Sequence, residues 1–575
     1  MTQRNVLETD VLIIGGGSAG LWAANRFTDL QPDKSVLIVD KGPKDWGGLM
    51  TMAGGDFDAV QPGEDVADWM KDFVYYFDGL CDQPLMEAIL ENSFDRMQDY
   101  QRYGCEFFKK EDGTLKSVPQ RGQDHVKLYP AKLKGRGGEM MVRGLIEQLQ
   151  KKGVKRLGRI LVTDLLKQEE RVVGAVGFDT LNGEFYVIKA QAVVAATGVG
   201  GWKTSYGKNT PTGEGVELVY KAGAILKDFE FSRVWNMPKY FGWEGQTTLM
   251  PLGARFVNSK GEPFMERYSP VLKANTDPHF TTIAMALEIR EGRGPIYFDL
   301  SKIKQEDVVL LKPQNGWQLM NYEKLRDMGM DLFKDNTQWV PQMTISYGGM
   351  DAGIHGETNV PGLFAAGTAR STEPGVYAGG FALMTTSVTG YLTGEGVAQF
   401  LNEQKPLEIQ LDEEQINVLE REIYAPLNKD GLSPKEVLTE IQEIMFPYNV
   451  SIIKTEAALH NALQRLKTLQ ITKIPQMAAK DPHYLLKLRE VKSIAFISEL
   501  YLRASLERKE SRAGHYREDY PQRNEDYLAW LMVEQGDNKQ MKFSWKQVPL
   551  DTYKYPVTRY YSDNFTFMNP NLKSE

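Results

Sequence analysis

The chain has 575 residues, 42% of them hydrophobic and 25% charged, a composition typical of a soluble globular protein with several domains. Its net charge of −8 argues against a broad basic field of the kind that binds nucleic acid. The two cysteines, Cys81 and Cys105, are too few to ligate an iron–sulfur cluster or a structural zinc, and no disulfide framework is expected.

A βαβ unit is predicted near the start of the chain. Residues 10–14 (DVLII) form a buried-strand pattern that enters GGGSAG at 15–20, and the apolar helix pattern LWAANRF follows. Residues 35–39 (SVLIV) predict the second strand, which ends at Asp40. A strand, a glycine-rich turn, a helix and a second strand in this order are typical of a dinucleotide-binding fold.

The glycines of this turn match the dinucleotide pattern GxGxxG. Gly15 permits a tight turn, Gly17 lets the backbone approach a pyrophosphate, and Gly20 lets the helix pack closely on the strand. The helix N-terminus then faces the phosphates with its unpaired N–H groups. Asp40 lies 20 residues beyond Gly20, where it can accept hydrogen bonds from a ribose. Together these features predict a dinucleotide site.

Further along the chain, helical spacing is predicted for 85–103 and 138–152. Residues 172–178 and 184–188 predict a hairpin around an Asn-Gly turn. A separate buried strand is predicted at 192–197, and it ends in a glycine-rich turn.

From about residue 232 the pattern changes. A hairpin is predicted over 253–264 and a strand over 295–300, so residues 232–347 are interpreted as an inserted domain. A strand at 362–367 returns the chain to the first domain. Residues 411–510 are charged and helical in pattern, and the final stretch is predicted to be irregular.

Two later glycine-rich turns bear on the choice between NAD and FAD. An NAD fingerprint alone would not predict the turns at 196–201 and 365–369. FAD-binding folds with two dinucleotide-binding motifs bring a distant strand and turn back against the same cofactor, so the pattern favours FAD. No second motif of comparable strength indicates a nicotinamide.

The histidines and the apolar runs suggest neither a metal site nor a membrane span. The six histidines are scattered, without the helical spacing of metal ligands. No apolar run of the secretory type opens the chain, and no window approaches the ~20 apolar residues of a membrane helix. We therefore predict a cytoplasmic protein with no metal site and no direct membrane insertion.

A set of longer motifs resembles a known superfamily. They are DVLIIGGGSAG (10–20), TGEGVELVYKAGAILKDFEF (212–231), GEPFMERY (261–268), EIREGRGPIYFDL (288–300), VPGLFAAG (360–367) and RKESRAGHYREDYP (508–521). In this order they resemble the flavoprotein subunit of the succinate dehydrogenase and fumarate reductase superfamily. Within it, the REGRGPIY run and the loss of several catalytic residues resemble the alpha subunit of adenylylsulfate reductase more closely.

The resemblance implies an α/β fold with three parts. A two-dinucleotide-binding FAD domain would comprise 1–231 and 348–410, with an inserted α+β capping domain at 232–347 and a C-terminal helical domain and tail at 411–575. It also implies one set of FAD contacts, namely Gly15, Gly17, Ser18, Gly20, Asp40 and Lys41 at the adenosine-diphosphate half, Gly47, Gly48, Thr51, Gly54 and Gly55 near the flavin ring, and Ala196, Thr197, Gly198, Glu214, Gly367, Gly380, Ala382 and Leu383.

The sequence departs from the superfamily where that family binds flavin covalently and holds dicarboxylates. Gly48 stands in place of the histidine that attaches FAD in succinate dehydrogenases, so non-covalent FAD is expected. The expected histidines and arginines of the dicarboxylate site correspond to Trp235, Ile283, Thr344 and Ala378. A less cationic, more aromatic site is therefore expected, acting on a small substrate that is not a dicarboxylate.

Several side chains could act instead: Trp235, Lys239, Tyr347, Arg370, Glu373, Tyr377 and His279. We predict catalytic roles for Tyr347, Trp235, Lys239, Arg370 and His279, with Tyr347 the best ring-proximal candidate. Packing is the alternative role for Trp235, and a solvated loop position is the alternative for His279.

Three functions are compatible with these features. The first is an FAD-dependent oxidoreductase that exchanges a hydride or electron pair with a small organic or sulfur-containing substrate, including an adenylylsulfate reductase-like enzyme. The second is an electron-relay subunit of a larger iron–sulfur complex. The third, a nucleic-acid-modifying protein, is disfavoured by the acidic charge. The 411–510 region predicts a surface for a ferredoxin-like iron–sulfur partner, although its helices could merely brace the FAD domain.

Overall fold

The computed structural model describes residues 4–132, 137–205, 209–242, 247–304 and 323–572. The strands, in chain order, are β1 (Asn5–Ile14), β2 (Val36–Asp40), β3 (Phe57–Asp58), β4 (Val118–Pro119), β5 (Lys127–Tyr129), β6 (Lys155–Gly158), β7 (Ile160–Gln168), β8 (Arg171–Asp179), β9 (Phe185–Ala195), β10 (Leu226–Lys227), β11 (Ser232–Pro238), β12 (Arg255–Val257), β13 (Ile296–Asp299), β14 (Thr337–Ser346), β15 (Gly349–Met350), β16 (Leu363–Ala365), β17 (Ala529–Gln535) and β18 (Met541–Gln547). The α-helices with defined bounds are α1 (Ser18–Leu30), α2 (Val66–Tyr76), α3 (Gln83–Arg102), α4 (Gly137–Lys151), α5 (Glu214–Lys221), α6 (Met265–Tyr268), α7 (Pro278–Arg290), α8 (Phe381–Glu403), α9 (Glu413–Tyr424), α10 (Pro434–Met445), α11 (Tyr448–Ser451), α12 (Glu456–Thr472) and α13 (Pro482–Glu507).

The central sheet has the strand order β6-β2-β1-β9-β8-β7, and β16 also pairs with β9. β1 pairs in parallel with both β2 and β9. The sequence predicted two separate strands at 184–188 and 192–197, but they form one strand, β9. On one edge β9 pairs in parallel with β1 over residues 186–195. On its other edge, the first half of β9 pairs with β8 in antiparallel fashion, and its last residues pair in parallel with β16. No glycine or proline interrupts this run, so nothing in it ends the strand.

The inserted region forms a second, antiparallel sheet of strand order β11-β14-β13-β12, covered by α7. The sequence predicted a hairpin over 253–264, which is wrong. β12 pairs instead with the distant β13, with Arg255 opposite Asp299. The Asn258 side chain donates 2.8 Å hydrogen bonds to both Glu262 and Glu288, and so it closes a turn where the second hairpin strand was expected.

The tail after the C-terminal helices is not irregular throughout. β17 and β18 form a hairpin that extends β10 and β15 into a four-stranded sheet. The alternating residues of β18, MKFSWKQ, carry the period-two pattern that could have predicted it. The consequence is that the end of the chain completes a sheet that β10 and β15 begin.

A buried ionic network joins this tail to the rest of the protein. Arg508, at the end of α13, donates hydrogen bonds to Glu230 (2.7 Å), Glu510 (2.8 Å) and the carbonyl oxygen of Ala529 (2.8 Å). The three charged side chains are fully buried. Since a buried charge is tolerated only when it is paired and hydrogen-bonded, this network fixes the tail against the segment that leads into β11.

No helix among the described residues is both long and apolar enough to cross a lipid bilayer. Within the same ranges, no group of three or more His, Cys, Asp or Glu side chains could hold a metal ion.

Candidate functional site

A cavity of about 620 Å³ runs from the glycine-rich turn after β1 to the antiparallel sheet of the inserted region. The carboxyl ends of β1, β2 and β9 open into it, which is where parallel α/β sheets bind their ligands. Its volume lies within the range of cofactor and ligand sites.

The glycine-rich turn forms one end of the cavity. Gly15 has φ +110°, and a Cβ there would lie 2.3 Å from the carbonyl oxygen of Ala196. A Cβ on Gly20 would lie 2.0 Å from the carbonyl oxygen of Gly15, so Gly20 allows α1 to pack on the turn without lining the cavity itself. Ser18 opens α1 and lines the cavity.

Asp40 joins two loops at this end. Its Oδ2 accepts a hydrogen bond from the N–H of Gly16 (2.7 Å), and its Oδ1 accepts one from the N–H of Gly42 (2.6 Å). The carboxylate also lines the cavity, and each oxygen keeps lone-pair capacity for a further donor. Asp40 therefore holds the turn in shape and remains available to a ribose hydroxyl.

Lys41 and Glu214 form an ion pair beside it. Lys41 Nζ donates to Thr212 Oγ1 (2.7 Å) and to Glu214 Oε1 (2.8 Å), and Glu490 lies 3.7 Å away. Burial opposes the charge of Lys41, but Glu214 and Glu490 outweigh it and raise its pKa. The end of the cavity near the glycine-rich turn thus carries a cation, Lys41, whose charge is compensated by Glu214 and Glu490.

The middle of the cavity is lined by backbone. Gly47 (φ +78°) packs against Val142, because a Cβ there would lie 2.4 Å from Val142 Cγ1. Gly48 (φ +61°) faces Gly17, whose Cα is 3.5 Å from the site of an added Cβ. Gly48 lines the cavity and carries no nucleophile.

Most of the predicted FAD contacts line this cavity. They are Gly15, Gly17, Ser18, Asp40, Lys41, Gly47, Gly48, Gly54, Gly55, Ala196, Thr197, Gly198, Glu214, Gly380, Ala382 and Leu383. Gly20, Thr51 and Gly367 do not. The Thr51 hydroxyl is bonded to the carbonyl of Trp46, and Gly367 packs on Ala19.

The other end of the cavity is lined by Arg233, Tyr347, Glu373 and Tyr377. The guanidinium carbon of Arg233 lies 4.5 Å from the ring centroid of Tyr377 and 4.4 Å from that of Trp235, a cation–π arrangement. The sequence predicted a less cationic site, but Arg233 supplies a cation there. It lies on β11 and was missed because no local motif distinguishes it from a solvated arginine.

Two carboxyl groups in the cavity wall hold protons more tightly than usual. Burial raises the pKa of Glu373 to about 8, with Arg233 acting in the opposite direction and Asp277 reinforcing the rise. Burial also raises the pKa of Asp56, which lines the cavity beside Gly55, to about 6. A buried acid with a perturbed pKa in a cavity indicates a proton-handling site.

Behind this end lies a buried Asp–His pair. His279 Nδ1 is 2.8 Å from Asp277 Oδ1, and both side chains are fully buried. His279 Nε2 has no hydrogen-bond partner among the described residues. The imidazole lies 5.8 Å from the ring of Tyr347 and 6.1 Å from that of Trp235. His279 therefore belongs to the first turn of α7 and not to a solvated loop.

Of the five predicted catalytic residues, only Tyr347 lines the cavity. Trp235 and His279 are buried behind its wall. Lys239 follows the end of β11 and is exposed, and its Nζ donates a 3.0 Å hydrogen bond to Gln338 Oε1. Arg370 points the other way, its guanidinium donating to the carbonyls of residues 352 (2.8 Å) and 354 (3.5 Å).

Three residues that stand where the superfamily has its dicarboxylate ligands contribute to packing or to backbone hydrogen bonding instead. Ile283 is fully buried within α7, and Ala378 is buried next to Tyr377. Thr344 uses its hydroxyl to donate to the carbonyl oxygen of Arg233 (3.1 Å). None of these three residues lines the cavity.

Comparison with known proteins gives two family matches. The family described as FAD binding domain matches residues 10–382, and the one described as fumarate reductase flavoprotein C-term matches residues 438–561. An uncharacterized FAD-dependent oxidoreductase of Methanocaldococcus jannaschii is 28% identical over 540 residues, covering 92% of this chain and 96% of its own length. One subunit of the fumarate reductase (CoM/CoB) of Methanothermobacter marburgensis is 28% identical over 555 residues, covering 92% and 98%.

Solved structures share the fold. A variant of the E. coli quinol fumarate reductase superposes with a TM-score of 0.86 at 22% identity, covering 96% of this chain and 99% of that chain. Adenylylsulfate reductase of Archaeoglobus fulgidus superposes with a TM-score of 0.81 at 22% identity, covering 95% and 97%. The fold is thus common to proteins with different substrates, and the substrate must be argued from the site.

Proposed function

We propose that this chain, which belongs to the FAD binding domain family, reduces a small substrate carrying one anionic group. The premise is that it is a fumarate reductase/succinate dehydrogenase-type flavoprotein and therefore an FAD-dependent oxidoreductase. The observation that carries the proposal is that Arg233 and the buried acid Glu373 both line one end of the cavity, where the charge of Arg233 acts on the Glu373 carboxyl. Both side chains come from segments that enclose the end opposite the glycine-rich turn.

The cavity fits FAD along its length. The glycine-rich turn and the N-terminus of α1 suit a pyrophosphate, and Asp40 suits a ribose. Between the two ends, Gly47 and Gly48 line the cavity without side chains, which suits the close approach of a flat ring. Gly48 offers no atom for a covalent bond, so we infer that the chain holds FAD without one there. When it is bound, FAD supplies a centre that takes up or releases two electrons.

Arg233 would bind and orient the substrate. A guanidinium forms strong, directional hydrogen bonds to a carboxylate, and the rings of Trp235 and Tyr377 hold it in one orientation. A dicarboxylate would need a further cationic donor at its second end, but among the described residues the cavity is lined by two cationic side chains, Arg233 and Lys41, and Lys41 is paired with Glu214 near the glycine-rich turn. The site therefore suits a single anionic group better than fumarate or succinate.

Glu373 would handle the proton. Reduction of a double bond consumes two electrons and two protons, so the site needs a proton donor besides the redox cofactor. Below pH 8 the carboxyl of Glu373 carries its proton and can donate it, because burial raises its pKa to about 8. At neutral pH this favours the reductive direction.

Arg233→Gln tests the substrate assignment. We expect simple monocarboxylates such as crotonate to perturb the absorbance spectrum of the FAD-loaded wild type, and their dissociation constants to rise about 10- to 100-fold in the variant, because a hydrogen bond to a charged group contributes roughly 1.5–3 kcal/mol. The wild type should reduce fumarate at less than about one turnover per second with a reduced viologen as donor. It should oxidise succinate at less than about the same rate with an artificial electron acceptor.

Lys239→Gln is the matched control, because Lys239 is exposed and does not line the cavity. It should leave both measurements unchanged. Unaltered monocarboxylate binding in the Arg233 variant, or rapid turnover of fumarate by the wild type, would contradict the proposal.

A redox partner completes the function. A flavin that has exchanged electrons with its substrate must return to its starting redox state by a second electron transfer. Cys81 and Cys105 are both buried, and two cysteines are too few to ligate an iron–sulfur cluster for that transfer. We propose that a ferredoxin-like iron–sulfur protein binds beside the C-terminal helices, a role supported by relatives that are named as subunits and by the family match at 438–561.

Anaerobic purification from the native cell should therefore recover iron with the flavoprotein. The protein should elute with a second polypeptide whose iron content is stoichiometric with FAD. An iron-free homomer that turns over fully with oxygen would indicate an oxidase instead.

A further inference from the structure

Asp277 is a buried carboxylate immediately behind the closed end of the cavity. It caps the N-terminus of α7 and is fully buried. Its Oδ1 accepts from the backbone N–H of His279 (2.7 Å) and lies 2.8 Å from His279 Nδ1. Its Oδ2 accepts from the Tyr76 hydroxyl (2.6 Å) and from the N–H of Tyr377 (2.7 Å). One carboxylate thus ties together α2, α7 and the loop that carries Tyr377.

These contacts favour the ionised form of Asp277. Burial on its own would raise the pKa, but His279 and the hydrogen bonds from His279, Tyr76 and Tyr377 outweigh it and lower the pKa of Asp277. The wall behind the cavity therefore contains an ionised carboxylate, that of Asp277, beside the imidazole of His279.

Glu373 lies on the same loop as Tyr377, four residues earlier, and faces the cavity from the same end. Two carboxyl groups close together cannot both ionise easily, so the charge on Asp277 favours the protonated form of Glu373. Arg233 acts in the opposite direction, because its positive charge favours ionised Glu373.

We propose that Asp277 is a positioning residue. Its hydrogen bonds orient the loop that carries Glu373 and Tyr377, and its negative charge favours the protonated form of Glu373, which donates its proton to the substrate. The proposal rests on the role assigned to Glu373 above. It deepens that role by naming the group that sets the pH at which Glu373 can donate.

The other titratable and charged groups that face this pair are Tyr76, Tyr347, Tyr377, Tyr561, His279, Arg121 and Arg233. Burial raises the pKa of Tyr76 and Tyr561 well above the usual value, so both stay neutral. The Tyr561 hydroxyl oxygen accepts a hydrogen bond from the backbone N–H of Asp277 (2.9 Å). Arg121 and Arg233 supply positive charge at this end of the cavity.

Asp277→Asn tests the charge while keeping the shape of the side chain. In the FAD-loaded protein, with crotonate as substrate and a reduced viologen as donor, we expect the alkaline limb of the pH–kcat profile to move about one pH unit lower, because loss of the negative charge lowers the pKa of Glu373. Asp277→Glu should restore the limb. Tyr76→Phe is the matched control, since it removes one hydrogen bond to Asp277 and leaves the charge in place, and its limb should stay where the wild type has it. A limb that stays fixed in Asp277→Asn would overturn the proposal.

Infrared titration gives a second measurement that does not depend on turnover. The protein is labelled in turn with ¹³C-glutamate and ¹³C-aspartate, so that each class of carboxyl group is reported separately. A protonated glutamate band that is missing in Glu373→Gln should persist to about pH 8, and no aspartate band that is missing in Asp277→Asn should titrate with it. An aspartate band that is missing in Asp277→Asn and loses its proton near pH 8 would overturn the proposal.

The outcomes separate this inference from the proposed function. If Glu373→Gln retains full turnover, the proposed function fails. If Glu373→Gln is inactive and the limb of Asp277→Asn does not move, only the role of Asp277 fails.

Discussion

Glu373→Gln is expected to lower kcat about 100- to 10,000-fold, the usual contribution of a positioned proton donor. Glutamine keeps the size and polarity of the carboxyl but cannot give up a proton at neutral pH. Binding of FAD and of monocarboxylates should change little, because Arg233 and the glycine-rich turn remain. The measurement is steady-state reduction with an artificial electron donor, together with FAD content.

The pH profile of the wild type follows from the same group. Burial raises the pKa of Glu373 to about 8, so the acid form prevails below that pH and activity should fall as the pH rises through it. Glu373→Asp should keep a similar alkaline limb at reduced kcat. A wild-type rate that stays constant from pH 7 to 10, or a fully active Glu373→Gln, would contradict the assignment.

The free energy of unfolding should also depend on pH through Glu373, because the folded protein binds a proton there that the unfolded chain does not. The ordinary pKa of a glutamate is 4.5, so between about pH 4.5 and pH 8 the folded protein holds a proton on Glu373 that the unfolded chain has lost. The free energy of unfolding should therefore fall as the pH rises across this window, by up to roughly 4 kcal/mol. In Glu373→Gln that part of the pH dependence should disappear, which denaturant unfolding at pH 5 and pH 8 would measure.

Gly20→Ala is expected to abolish retention of FAD. An added Cβ would lie 2.0 Å from the carbonyl oxygen of Gly15 and 3.1 Å from Ile13 Cγ2. Since the nearest of these atoms is backbone, α1 must move away from β1, which displaces both the turn and the helix N-terminus that face the pyrophosphate. The purified variant should be colourless and should not bind added FAD in a fluorescence-quenching titration.

Gly63→Ala is a control for the added methyl group, because Gly63 (φ +92°) has open space where a Cβ would be added. This variant should remain yellow and lose only a little stability, from the strained backbone. Circular dichroism would show whether Gly20→Ala keeps its overall fold. A yellow, FAD-replete Gly20→Ala would show that the turn tolerates the displacement.

The sequence alone determined the dinucleotide site. The strand, the glycine-rich turn, the helix and Asp40 all fall within 36 residues, residues 5–40, and each follows from local rules of conformation and hydrogen bonding. The same holds for the helical C-terminal region, where capping residues and apolar spacing are local signals. The longer motifs then identified the superfamily and with it the cofactor.

Only the tertiary structure decided which side chains form the substrate end. Arg233, Tyr347, Glu373 and, behind the cavity wall, Asp277 come from four segments spread over 141 residues. The sequence marked Tyr347 and Glu373 as candidates, but it gave no sign of Arg233 or Asp277. Lys239 and Arg370 looked equally suitable in the sequence, yet one is exposed and the other bonds backbone carbonyls away from the cavity. Whether a side chain faces a cavity, and whether burial makes it hold a proton, depends on contacts between segments far apart in the chain. Local preferences of the backbone carry no information about those contacts.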